Sequence, residues 1–346
     1  MKPVSPPLPE SDTMRYSSEV VANRLRLKRP PHPNRSLRCL FMVHSLTEQA
    51  LMAVDIAILV STYQRPEHLR RCLLSIERQR GVDGRFEVVV TDDGSGDETH
   101  RLIVDTARRM PFRLTFTTHD HHGFRLSRCR NEGVAASTAE YLLFTDGDCI
   151  LPPDHIRIHL EERRRGCVSA SDCLRLDRAA SDVINDSVIT EWSVPRLVPH
   201  RERRRMLGKA VRAMWYSACR VPMRPRLSGN NIAVWRSDFE RVNGFDEEFV
   251  GWGLEDRDLQ RRLAMIGVRV RSILHRTAPI HLWHEPSPSF RRNGTGTENF
   301  YYYSRPAVTA YCLNGLIKPD DSQGPMTMPL RTRRSETAER LHRRAA

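Results

Sequence analysis

Asp146 and Asp148 stand one residue apart across Gly147, at the end of the run Tyr141-Leu142-Leu143-Phe144. Two carboxylates so spaced can turn toward one point. Hard oxygen ligands of this kind suit Mg²⁺ or Mn²⁺, which keep open positions for phosphate oxygens. The apolar run is short, aromatic at both ends and stopped by turn residues, so it reads as a buried strand. The end of a central strand is where open α/β sheets place their ligands. Alone, the triplet is more often an ordinary polar turn, since Asp and Gly are common turn formers. The rest of the chain must decide.

The elements around it alternate. Val54 to Val60 is expected as a first buried strand, running into the polar loop Ser61-Thr62-Tyr63-Gln64-Arg65-Pro66. Pro66 suits a helix start, and Leu69, Leu73, Leu74 and Ile76 mark an amphipathic helix to about Arg80. Phe86 to Val90 reads as a second strand, ending in Thr91-Asp92-Asp93-Gly94-Ser95, with Asp97 as a candidate cap for the next helix. A third strand over Phe112 to Thr117, a His-rich loop and a helix over Leu126 to Ala136 lead to the Asp-Gly-Asp strand. This alternation implies βαβ units and a mostly parallel sheet flanked by helices, an α/β class of fold. A basic helix is expected over His155 to Arg165. The pattern then weakens from Gly166 to Arg226, with arginine clusters at 201–205 and 223–226. Order returns with a strand-like run to Trp235, a helix over Ser237 to Arg241, a helix ending near Ile266, and a strand over Val268 to Ile273.

The 346 residues carry a formal net charge of +13 and a pI of about 9.8, with arginine far outnumbering lysine. Such a balance favours anionic partners. Eight cysteines without a CxxC pair argue against a zinc module and a disulfide framework, and fit a reducing cytoplasm. No stretch approaches the ~18 apolar residues of a membrane span. Neither GxGxxG nor a P-loop motif occurs. Residues 1–51 are rich in Pro, Ser and Arg and read as a flexible arm. Met52 opens a segment resembling a natural start, and residues 316–346 read as a loose basic tail. One folded domain is expected over 52–315, with two patterned halves at 54–153 and 227–300.

The motifs STYQRPEHLRRCL, VVVTDDGSGDET, RLSRCRNEGV, YLLFTDGDCILPP, SGNNIAVWRSDFERVNGFDEEF, GWGLEDRDLQRRL and HLWH follow in order over Val54 to Asn299. Together they resemble a family 2 glycosyltransferase of the GT-A fold, with a C-terminal portion of the galactosyltransferase type found in β-1,4-galactosyltransferases and chondroitin-polymerase modules. Residues 166–226 match poorly. The resemblance implies an inverting transfer from a UDP-sugar to a glycan, lipid-linked or small-molecule glycoside acceptor, with Mn²⁺ or Mg²⁺ as cofactor. It implies that Asp148 ligates the metal, that Asp146 meets ribose or a metal-bound water, and that His284 or His281 completes the site. Imidazole suits Mn²⁺ better than Mg²⁺.

For the donor, Thr62, Tyr63 and Arg65 lie in the first loop, where Tyr63 can stack on a pyrimidine and Arg65 can reach phosphate. By resemblance Asp93 accepts from the uracil N3–H; Asp92 shares that role or only shapes the turn. Arg130 and Asn131 are candidate nucleotide or sugar contacts. Gly229 and Asn230 line the donor pocket, and Trp252 offers a sugar platform. Asp256 is the expected catalytic base, with Glu255 positioning acceptor or donor. An inverting transfer needs one carboxylate to take the acceptor proton as the hydroxyl attacks. Both also sit where carboxylates favour a helix start.

Three other classes are weighed against this one. A non-catalytic sugar-binding protein on the same fold is opposed by the full set of Asp146, Asp148, Glu255, Asp256 and His284. A nucleic-acid binder is opposed by the absence of a recognisable module. A nucleotidyltransferase would carry a Gly-rich basic loop after the first strand, which STYQRP is not. The basic segment 201–226 is compatible with a solvated charge cluster, an acidic acceptor, or peripheral contact with the inner membrane face.

Overall fold

The computed structural model describes residues 54–82, 84–290 and 296–319, and the backbone of a strand at 40–43. Met52 and most of the two Pro- and Arg-rich ends lie outside the described residues.

An eight-stranded sheet forms the centre, in the order β1-β4-β3-β2-β5-β9-β7-β10. In chain order its members are β1 (Leu40–Val43), β2 (Ile56–Thr62), β3 (Phe86–Asp92), β4 (Arg113–Thr118), β5 (Tyr141–Asp146), β7 (Cys167–Ala170), β9 (Asn231–Trp235) and β10 (Arg269–Ser272). β2, β3, β4 and β5 run parallel, while β9 runs antiparallel between β5 and β7 and β1 antiparallel along β4. All seven residues of β2 and of β3 are buried, so neither strand alternates between apolar and polar; β3 carries one buried charge, Glu87.

Helices cover both faces. α1 (Pro66–Glu77) sets Leu69, Leu73 and Ile76 against Ile56, Ile58 and Val60. α2 is Asp97–Ala107 and α3 is Leu126–Ala135. On the opposite face, Ala57, Leu59, Leu142 and Phe144 meet Val134, Phe239, Phe245 and Leu259. Each such side chain contributes about 1.5–3 kcal/mol by leaving water.

Register decides the function of the sheet edge. Thr62 pairs with Asp92 and Ser61 with Asp146. The carboxyl ends of β2, β3 and β5 therefore finish level, and their polar loops open on one side. Gly147 donates its N–H to the Ser61 carbonyl at 2.8 Å. A Cβ there would meet that oxygen at 3.2 Å and Thr62 Cβ at 3.3 Å, so the residue between the two aspartates has little room for a side chain.

A second sheet, β6-β11-β8, joins β6 (Cys149–Ile150), β8 (Leu174–Arg175) and β11 (Ile280–His281). His281 pairs with Cys149, and Leu282 donates to the Asp148 carbonyl at 2.9 Å. This small sheet carries the late histidine segment back to the Asp-Gly-Asp turn.

Several elements differ from expectation. The helix α4 is His155–Glu162 and stops before Arg163, and its inner face is His155, Ile156, Ile158 and His159, all buried. It is anchored by imidazoles, with His155 and His159 both on Asn231 Oδ1 at 3.2 and 3.1 Å. The weakly patterned stretch 166–226 contains β7, β8, two short helices α5 (Arg178–Asp182) and α6 (Asp186–Thr190), and the long helix α7 (His200–Ala218). α8 is Arg236–Arg241, α9 is Glu255–Met265 and α10 is Glu298–Tyr303. β1 falls within the segment expected as an arm. Packing also continues past residue 315: Asn243 donates to the Cys312 and Ile317 carbonyls and accepts from the Ile317 N–H, each at 2.8 Å.

Candidate functional site

The level strand ends open onto a cavity of about 360 Å³, lined among others by Thr62, Tyr63, Arg65, Asp93, Asp146 and Asp148, with Trp252, His281 and His284 from the later segments. Nine of the residues singled out from sequence thus meet in one place.

Asp148 is its electrostatic centre. His284 Nε2 lies 3.1 Å from Asp148 Oδ2, and His281 Nε2 lies 3.5 Å from Oδ1. Arg65 Nη1 stands 3.9 Å from Oδ2. Burial would raise this carboxyl, but the charges of His281, His284 and Arg65 outweigh burial and hold it below the ordinary carboxylate range. The His284 ring is raised, first by its hydrogen bond to Asp148. One ligand atom each from Asp148, His281 and His284 lies within 4.8 Å of the others. His284 Nδ1 is 2.7 Å from the Glu285 carbonyl. A carbonyl only accepts, so Nδ1 carries the proton and Nε2 is the nitrogen left to face a cation. One carboxylate and two imidazoles fit a divalent ion of the Mn²⁺ type.

Asp146 faces Arg130, whose Nη2 is 3.4 Å from Oδ1. Burial raises its carboxyl, with Arg130 opposing and Asp148 adding to the rise. Arg130 is itself buried and points Nη1 at Glu255 Oε1, 3.1 Å away. One guanidinium thus bridges the Asp-Gly-Asp turn to the acceptor-side carboxylates. Gly229 makes room for it, since a Cβ there would fall 2.7 Å from Arg130 Nη1.

Glu255 and Asp256 open α9 after a turn of unusual backbone. Gly251 and Gly253 have φ of 84° and 99°, and Leu254 follows at 76° without being glycine. Such a value in a bulky residue marks strain held by its surroundings. The helix behind the turn is fixed by Arg262, which donates to Asp258 at 2.6 Å and to the Val242 and Gly244 carbonyls at 2.8 Å, fully buried. Burial pushes the Glu255 carboxyl up to about 7, and negative Asp256 adds to the rise. Asp256 is also raised by burial, against the pull of Arg130 and of the N–H groups of Arg257 and Gly229. Those N–H groups donate to it at 2.7 and 3.2 Å. Neither carboxylate lines the cavity.

Around Asp93, His119 Nε2 is 2.9 Å from Oδ1 and Arg125 N–H donates to Oδ2 at 3.0 Å. His119 Nδ1 lies 2.8 Å from Glu132. Burial would lower this imidazole, but its two carboxylate partners outweigh burial and carry it up to about 9, while Glu132 falls to about 2. Asp93, His119 and Cys129 also lie within mutual ligand distance. Both ring nitrogens are already committed, and burial holds the Cys129 thiol well above its usual range, so this trio is a hydrogen-bonded post. Tyr63 stacks on His121, centroids 4.4 Å apart and planes within 12°. Trp252 meets Phe290 edge-on at 4.6 Å.

Asn131 and Asp92 stand apart from the cavity, and Asp92 takes the turn-shaping one of its two expected roles. The Asn131 amide is spent on the chain: it donates to the Phe245 carbonyl at 2.8 Å and to Glu247 at 3.1 Å, and accepts from the Phe245 N–H at 2.9 Å. Asp92 closes the turn after β3, accepting from the Ser95 N–H at 2.7 Å and from the Thr118 hydroxyl at 2.9 Å. Neither lines the cavity. Asn230 accepts from Ser228 Oγ at 3.0 Å and stands apart from the cavity as well. Sequence reasoning missed His119, Arg175 and Trp283. The run His119-Asp120-His121-His122 signals histidine chemistry but not which ring turns inward.

A mostly parallel sheet with the antiparallel β9 within it and a cation-type cluster at its carboxyl edge defines the GT-A class of fold. The S. aureus TarS 1–349 structure in complex with UDP superposes on 72% of this chain and 63% of that one, with a TM-score of 0.50 and 18% identity. Residues 57–219 match the model for glycosyl transferase family 2, and residues 211–285 that for the N-terminal domain of galactosyltransferase. Over these residues the chain is similar to glycosyltransferases, to family 2 first and to the galactosyltransferase type in the segment that follows. A validoxylamine A glucosyltransferase of Streptomyces hygroscopicus subsp. limoneus is 28% identical over 62% of this chain and 48% of its own. An Escherichia coli chondroitin synthase is 24% identical over 64% and 34%. The chain thus spans about half the length, or less, of these curated relatives.

Proposed function

We propose that the protein transfers a hexose or N-acetylhexosamine from a UDP-sugar to a glycan, lipid-linked or small-molecule glycoside acceptor, with inversion at the anomeric carbon. The observation that carries the reading is the convergence of Asp148, His281 and His284 in the cavity that Tyr63 and Asp93 also line. Asp148, His284 and His281, with Asp146 nearby, would hold Mn²⁺ or Mg²⁺, which would supply Lewis-acid neutralisation of the departing diphosphate. Tyr63, backed by His121, offers its ring to the base. Asp93, oriented by His119 and the Arg125 N–H, accepts from the base edge. Arg65 faces the diphosphate.

Asp256 takes the acceptor proton as the hydroxyl oxygen bonds to the anomeric carbon and the bond to phosphate breaks. Its oxygens are aimed by two backbone N–H groups. Glu255, locked on Arg130, positions the sugar, and Trp252 gives a face for a pyranose ring. Galactose and N-acetylhexosamines lead as donor sugars; one relative is named for glucosyl transfer, which lies in the same hexose class. The seven described cysteines are all free, which supports a reducing, cytoplasmic setting. Among the described residues, no helix is long and apolar enough to cross a membrane.

The test is turnover of a panel of UDP-sugars with the anomeric configuration of the product read by NMR. Wild type should release an inverted product or hydrolysed sugar, and Asp256→Asn should not. A retained configuration, or full activity in Asp256→Asn, would remove the base from its role.

A further inference from the structure

The long helix α7 is attached to the body by one face alone. Met206, Ala210 and Ala213 are buried, and the first two pack with Leu274, Leu174 and Ala278. A different face shows Leu207, Val211, Met214 and Trp215 to solvent, at 68%, 59%, 51% and 59% exposure. Their spacing of i, i+4, i+7 and i+8 aligns them in one stripe. Single exposed apolar residues need no explanation, whereas a contiguous stripe of four does.

The basic residues of the same helix divide into two sets. Lys209 pairs with Asp172 and ties the helix to the body, Arg203 donates to the Pro195 and Val198 carbonyls just before the helix, and Arg205 pairs with Glu202 within it. Arg201, Arg204 and Arg212 are exposed and, among the described residues, have no carboxylate within 4.0 Å. On a helical wheel Arg201 and Arg212 border the apolar stripe on its solvent side, and Arg204 lies in line with the stripe one turn before it. Arg220 and Met223, beyond the helix, are also exposed.

We propose that this face is a docking surface for a membrane of anionic phospholipid. An apolar stripe with a tryptophan, edged by unpaired arginines, is the arrangement that lies in a lipid interface: side chains enter the acyl boundary while guanidinium groups meet phosphates. A second copy of the chain fits the charge less well, since a two-fold contact through the stripe sets the same arginines on both sides. Placement gives the docking a consequence. Glu202 in the first turn accepts from the N–H of Arg175 at 3.0 Å, and the Arg175 side chain lines the cavity. The docked helix therefore holds that rim of the cavity at the bilayer, where a lipid-linked acceptor would be presented. This last clause rests on the transfer reading; the docking does not.

The experiment is co-sedimentation of the full chain with vesicles of phosphatidylcholine alone or with added phosphatidylglycerol, without donor or metal. Binding should require the anionic lipid and weaken as salt rises. Arg201→Gln, Arg204→Gln and Arg212→Gln should each cost about fivefold in partition, in line with the energy of one basic residue at an anionic surface. The double variant Leu207→Ser with Trp215→Ser should cost more than tenfold. These positions are solvent-exposed, and a circular dichroism melt alongside verifies folding. Equal binding to neutral and anionic vesicles, no binding to either, or variants that bind like wild type would overturn the proposal. So would a dimer in sedimentation velocity that the same variants dissociate, which would assign the face to a second copy.

Discussion

Two pairs of acidic residues flank Arg130, and one member, Asp148, is tuned in the opposite sense to the other three carboxyls. In the Asp-Gly-Asp pair, Asp148 is surrounded by His281, His284 and Arg65 and is held ionised. In the Glu-Asp pair at the start of α9, both carboxyls are raised by burial, Glu255 to about 7. The first environment is fit for a cation and its phosphates. The second is fit for groups that exchange a proton near neutral pH. The pairs differ in their partners more than in their own chemistry, because one backs onto imidazoles and the other onto one shared guanidinium and backbone N–H groups.

That contrast can be broken at several points. Arg130→Met removes the shared cation and leaves buried carboxylates unpaired; it should cost roughly 3–5 kcal/mol in urea unfolding and lower turnover at least about a thousandfold. Asp256→Asn should lower turnover by about a hundred- to ten-thousandfold while leaving UDP affinity within about twofold, since base catalysis is lost and the donor site is not. Loss of UDP affinity in that variant would merge the two pairs into one site.

Smaller effects sharpen the comparison. Because a base must be deprotonated, kcat/KM should rise with pH through an apparent pKa of the Glu255–Asp256 pair that lies above the ordinary carboxylate range. A profile flat from about pH 5 to 8 would remove that pair from the proton transfer. His119 gives a stability effect of opposite sign. Its folded pKa, about 9, is above the ordinary value of about 6.5, so its contribution is complete below pH ~6.5 and is lost as pH rises through about 9. Denaturant unfolding between those limits should show a fall of about 2 kcal/mol that His119→Gln abolishes. An unchanged slope in that variant would assign the fall to another group.

Legibility followed locality. β2 and β5 are apolar runs ending in polar turns, and β3 is one broken only by Glu87, so their order was readable, and register carried Thr62, Asp93 and Asp146 together. His281 and His284 were readable from the resemblance, while their distance to Asp148 depends on the β11–β6 pairing, which joins residues far apart in the chain. From sequence Asn131 reads as a donor contact and Asp92 stays open between a donor contact and a turn, because a polar residue beside a site can serve the backbone instead. Only the partners, Phe245 for one and Ser95 for the other, distinguish the two uses. The region 166–226 resisted because α7 carries two apolar faces, one buried and one exposed, and so lacks a single amphipathic pattern.

The measurement closest to the central claim is calorimetric binding of UDP with and without Mn²⁺, on wild type and Asp148→Ala. The account predicts binding that needs Mn²⁺ and is lost in the variant. UDP binding indifferent to Mn²⁺ and to Asp148, or no UDP binding under any condition, would contradict it.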